Sequence, residues 1–159
     1  MHTEGVLLPE KEAVEWVKKG KLYAGKKRFK EARKAYDKAV AIDPGYAGGW
    51  FVKAELAAEQ GAFEEALTLC DKALSIDPNY AEAWSKKGLC LFSLERFNEA
   101  ITACTRALAL DGNDPTAWYI KGVSLDEIGK PAEAQEAFGK SLELEIILDM
   151  EAEKKRTGK

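Results

Sequence analysis

Four tryptophans, Trp16, Trp50, Trp84 and Trp118, stand 34 residues apart. An even period of this length constrains a chain more than its composition does. It means one supersecondary unit repeated in tandem, each copy unable to bury its apolar face without a neighbour. Other columns keep the same register. Four residues after each Trp come Gly20, Ala54, Gly88 and Gly122, and sixteen after come Ala32, Ala66, Ala100 and Ala134. Twenty after come Tyr36, Cys70, Cys104 and Phe138, and twenty-three after come Ala39, Ala73, Ala107 and Ser141. Two columns slip: Phe29, Phe63 and Phe97 give way to Pro131, and Pro44 and Pro78 give way to Gly112 and Ile146.

The chain resembles the tetratricopeptide repeat family, most cleanly at Trp84, Gly88, Leu91, Ala100, Cys104 and Ala107. The resemblance implies four helix–turn–helix units at 13–46, 47–80, 81–114 and 115–148. An N-terminal extension over 1–12 precedes them, and a helical or disordered tail over 149–159 follows. The fold class expected is all-α: a right-handed superhelix (solenoid) of these units, ended by a long C-terminal capping helix. Small columns let the two helices of a unit approach, and large ones, the tryptophans included, are expected to fill the core between units.

Local signals agree. The stretches between turns are rich in Ala, Leu, Glu and Lys, good helix formers, and show no strand-like alternation. The punctuation predicts helices near 10–25, 28–42, 47–60, 63–75, 81–94, 97–109, 115–128 and from 131 to about 155. Gly25, Gly61 and Gly129 mark turns inside units. Asp43-Pro44 and Asp77-Pro78 end second helices, because proline cannot continue a helix and restricts the residue before it. No such stop follows Ala132. There Leu142, Ile146, Ile147 and Met150 form an apolar stripe at helical spacing, expected to cover the end of the last unit or to self-associate.

Composition narrows the function. The chain is 46% apolar and 32% charged, as expected of a soluble globular protein. The run Val6, Leu7, Leu8 is too short for a signal peptide or a membrane span. Three cysteines (Cys70, Cys90, Cys104) without a CxxC, and one histidine, His2, give no metal spacing. Unpaired buried thiols fit a reducing cytoplasm. Catalysis needs a positioned titratable group, and neighbouring carboxylates such as Glu64/Glu65 and Asp126/Glu127 diverge on a helix. With no phosphate loop or nucleophile elbow either, no enzyme and no cofactor is expected.

What remains is binding. In the family the first helix of each unit lines a concave face. The matching positions are Val17 and Lys21, Phe51 and Glu55, Ser85, Leu89 and Phe92, and Tyr119, Val123 and Asp126. They imply a groove for a peptide or helix of another protein. A homo-oligomer joined through the terminal helices is the alternative. One subgroup grips chaperone C-terminal carboxylates with inward Lys, Asn, Asn, Lys and Arg. Val17, Lys21, Val52, Glu82 and Lys86 stand there instead, so that clamp is not expected. Finally, residues 13–46 carry ten Lys/Arg against four acids, and 47–80 carry two against six. Lys26, Lys27, Arg28, Lys30, Arg33 and Lys34 are thus an electrostatic patch, either a docking site or a solvated outer face. It lacks a nucleic-acid motif and free aromatics, so neither nucleic acid nor membrane is the expected partner.

Overall fold

The computed structural model describes residues 8–158, and within them every regular element is an α-helix. His2, Val6 and Leu7 lie outside the described residues. The chain divides into two compact units, 1–79 and 80–159. The first holds α1 (Pro9–Gly25), α2 (Phe29–Ile42), α3 (Ala47–Glu59) and α4 (Phe63–Ile76). The second holds α5 (Ala81–Ser93), α6 (Phe97–Leu110), α7 (Pro115–Glu127) and α8 (Pro131–Thr157). Each helix packs most closely on its partner in a pair: α1 on α2, α3 on α4, α5 on α6 and α7 on α8.

The pairs close because one small column receives one large column. A methyl placed on Gly122 would come 2.6 Å from the Phe138 ring. Gly20 meets the Tyr36 ring and Gly88 meets the Cys104 Sγ in the same way. The Ala columns finish the contact: Ala32, Ala66 and Ala100 are fully buried, and Ala134 is nearly so. The large column therefore fills the space inside a pair, and Tyr36 also joins the core that includes Val52 and Leu56 of the next pair. Cys70, Cys90 and Cys104 are free and buried, and burial pushes the Cys104 thiol up to about 12.

The tryptophans depart from expectation. All four are half-buried rather than core residues. Trp50 donates its indole N–H to the Pro44 carbonyl at 2.9 Å, and Trp118 does the same to Gly112 at 3.0 Å. An indole with a polar edge suits a position that is apolar on one side and wet on the other. Lysines cover the exposed faces: Lys38 lies 4.3 Å from the Trp16 ring centre and Lys72 lies 5.4 Å from that of Trp50. Trp50 and Trp118 thus pin the preceding turn, and each ring of the column has a lysine near its face.

Two kinds of turn recur. Inside each pair the chain passes through a left-handed residue, at Lys27 (φ 59°), Gly61 (φ 76°), Glu95 (φ 58°) and Gly129 (φ 78°). Gly25, expected to mark the first of these turns, is instead the last residue of α1. Between the pairs of each unit, an aspartate closes the turn. Asp43 accepts from the Gly45 N–H and Asp111 from the Asn113 N–H, both at 3.0 Å. Asp77 makes the same bond to Asn79. The aspartate holds the turn, which is why Gly112 can stand where Pro44 and Pro78 do. The next place in that column is Glu145, and there the helix continues.

The consequence is α8, a single helix of 27 residues. Ala134, Ala137 and Ser141 bury its first half, and the Ser141 hydroxyl donates to the Pro115 carbonyl at 2.8 Å. Past Ser141 the expected cap fails. Leu142, Ile146, Ile147 and Met150 are 58%, 51%, 44% and 56% exposed. The reason is length. α7 begins at Pro115, level with Ser141, so the remaining 16 residues extend about 24 Å beyond its start.

These contacts set opposite signs for two glycine substitutions. Gly20→Ala should destabilise by about 1–3 kcal/mol, because overpacking against Tyr36 exceeds the gain of about 1 kcal/mol in helix propensity. Gly139→Ala meets nothing within 4 Å and should stabilise by about 1 kcal/mol. Thermal denaturation followed by circular dichroism checks both. Glu95→Gly, which relieves a left-handed non-glycine residue, should raise the melting temperature by about 2–4 °C. An unchanged or lower value would show that the turn carries no strain.

Candidate functional site

The positions expected to line a groove divide sharply between the units. In the first unit Val17 and Phe51 are buried, 5% and 8% exposed, and offer no docking surface. Val17 belongs to the core with Ala13, Ala32, Tyr36, Ala39, Val52 and Leu56. The reason is geometric: Val17 is four residues from Ala13 on one helical face, so the two turn inward together.

What the first unit does present is a pocket of about 230 Å³. Ala24, Val52 and Leu56 supply its apolar walls, and Tyr36 lines it from α2. Lys21 of α1 and Glu55 and Glu59 of α3 complete it. Two of these, Lys21 and Glu55, belong to the expected site, whereas Glu59 and Tyr36 were not singled out for it. Tyr36 was assigned to a packing column, yet the Gly20 notch that seats its ring also carries it into the pocket wall. Burial pushes the Tyr36 hydroxyl up to about 12, and the nearby Glu55 and Glu59 carboxylates add to this.

In the second unit the expected residues stay accessible. Ser85, Leu89 and Phe92 follow one face of α5 and are half-buried. Tyr119, Val123 and Asp126 follow one face of α7, which packs on α5. Tyr119 is 52% exposed, and Asp126 is exposed beside it on the helix. The aromatic groups are held from behind, with Tyr119 against Phe138 and Phe92 against Phe97, each at 5.8 Å between ring centres. Tilted pairs at this separation are favourable aromatic contacts. The result is an apolar strip with a fixed tyrosine at its exposed end.

The basic patch is partly consumed by the fold. Lys27 reaches Glu59 and Arg33 reaches Glu65, both at 3.0 Å, and Arg33 also donates to Gln60. Arg28 pairs with Glu31 at 2.9 Å and stacks on Tyr23. Lys53 returns the contact by reaching Asp37 at 2.7 Å. The basic first repeat and the acidic second repeat thus clasp each other. Each such exposed pair contributes about 0–1 kcal/mol. Lys26, Lys30 and Lys34 remain exposed at the surface. Among the described residues no group of three or more His, Cys, Asp or Glu could hold a metal, and no helix is long and apolar enough to cross a membrane.

Models of the tetratricopeptide repeat match residues 23–90, 57–123 and 115–145. The chain belongs to the tetratricopeptide repeat family. Its fold class is the all-α solenoid of that family. No curated protein matches it. Solved structures do. A crystal structure of MamA matches at TM-score 0.77 and 22% identity over 87% of this chain and 81% of that one. PilF of Pseudomonas aeruginosa matches at TM-score 0.78 and 25% identity over 86% and 62%. The first repeat domain of Spaghetti (RPAP3), bound to the HSP90 peptide SRMEEVD, matches at TM-score 0.73 and 23% identity over 78% and 98%.

Proposed function

We propose that the protein is a non-catalytic adaptor that docks a peptide or helix of another protein on the second unit. The residues assigned to the contact are Leu89 and Phe92 of α5 and Tyr119 and Val123 of α7. The observation that carries this reading is Tyr119, a large aromatic left 52% exposed while Phe138 holds its ring in place. Preorganised aromatic side chains of this kind dominate interface energies, because little freedom is lost when a partner covers them. The RPAP3 domain, similar in fold, is bound to a peptide. The ligand class here is different from that acidic tail. Glu82 and Val52 stand where the family's chaperone clamp needs polar and basic groups, and the strip calls for apolar anchors.

Selection of phage-displayed peptides on the immobilised chain tests the proposal. Peptides with aromatic or aliphatic residues at regular spacing should be enriched. Tyr119→Glu should weaken their binding about ten-fold or more while leaving helicity and melting nearly unchanged. Selection that ignores Tyr119→Glu, or a variant that fails to fold, would place Tyr119 outside the docking surface.

The exposed stripe of α8 favours a second reading, self-association through the terminal helix. Contiguous apolar surface of this kind marks interaction sites in soluble proteins. Sedimentation velocity at two concentrations separates the readings. Self-association predicts a concentration-dependent coefficient that Ile146→Glu abolishes, and a chain that stays monomeric at the higher concentration removes this reading.

A further inference from the structure

The pocket of the first unit differs in chemistry from the apolar strip of the second. Its volume of about 230 Å³ falls below the roughly 300 Å³ at which small-molecule sites begin, and suits one long side chain. The walls are hydrocarbon, from Ala24, Val52 and Leu56, and the polar groups are unbalanced. Glu55 and Glu59 supply two carboxylates against the single ammonium of Lys21. Tyr36 is only 3% exposed as a residue and lines the pocket from α2.

We propose that this pocket receives a lysine or arginine side chain of a bound polypeptide. The aliphatic stem would lie along Val52 and Leu56, as such stems do on apolar surface. The charged head would meet the Glu55 and Glu59 carboxylates, and the Tyr36 oxygen offers a further acceptor. That hydroxyl is a neutral phenol at physiological pH, and its oxygen can accept. The molecule already shows the affinity in part, since Lys27 reaches Glu59 from outside at 3.0 Å. Lys27 is 74% exposed, so an incoming cation can displace it at small cost. Glu55 is half-buried, and a charge-assisted bond to it is stronger than one to a surface carboxylate. The inference rests on the reading of the chain as a polypeptide-binding module, but it uses none of the residues of the second unit.

The experiment is an NMR titration of the nitrogen-15-labelled chain with three probes: N-acetyl-arginine amide, N-acetyl-lysine amide and N-acetyl-norleucine amide. The two cationic probes should give saturable shifts at the amides of Ala24, Glu55 and Leu56. The uncharged norleucine probe should bind about ten-fold more weakly. Glu55→Gln combined with Glu59→Gln should abolish the cationic response. Lys21→Gln, which removes the competing ammonium, should strengthen it and serves as the informative variant if the double substitution does not fold. Norleucine shifts equal to those of lysine, or no response at these amides to any probe, would overturn the proposal. Tyr119→Glu should leave the arginine response unchanged, so failure here and failure of the strip are separately visible.

Discussion

The close approach of two helices at a missing side chain is the constraint on which the rest of the structure depends. Gly20, Gly88 and Gly122 leave notches in the first helix of their pairs, and Tyr36, Cys104 and Phe138 fill them from the second. Once a pair has closed, its Ala columns are buried and its other faces are committed. One face carries the half-buried tryptophan, which at Trp50 and Trp118 reaches back to the preceding turn. Another carries the side chains left accessible at the surface. The ring that seats in the notch also takes part in the neighbouring surface: Phe138 supports Tyr119, and Tyr36 lines the acidic pocket. Packing inside a pair and the make-up of its surface thus meet at the same aromatic residue.

The 34-residue period made the helix order legible because each column records a contact repeated in every pair. The same period hid what is not repeated. The left-handed position inside each pair is glycine at Gly61 and Gly129 but Lys27 and Glu95 elsewhere, so a search for glycine found only two of its turns and misplaced one at Gly25. Proline drew attention at Pro44 and Pro78, whereas the bond that recurs belongs to Asp43, Asp77 and Asp111.

The accessibility of the expected groove residues follows the register in the second unit and departs from it in the first. A register names which way a residue points on an average repeat. Whether that direction is covered depends on the neighbours, and Val17 and Phe51 are covered. Charge behaved similarly. Ten cations in the first repeat read as either a docking patch or a solvated face, but the sequence does not show that Glu59 and Glu65 lie within reach of Lys27 and Arg33. The tryptophans were assigned to the core because they repeat. Their indole N–H bonds show that a repeated residue can be repeated for a turn.

The distal half of α8 has a thermodynamic consequence. Residues 142–157 form a helix with almost no tertiary support, since Leu144 alone is even half-buried there. Its stability comes from local terms: the Arg156–Glu153 pair at 2.6 Å, basic residues in the last turn, and the left-handed Gly158 that ends it. A free helix of this length lies at the margin of helix–coil balance in water, where roughly 12–15 residues are the minimum. Order in the segment and coverage of its apolar stripe are therefore linked equilibria. Whatever covers Ile146 and Met150 also draws the coil fraction into helix, and whatever unwinds the segment scatters the stripe as a surface.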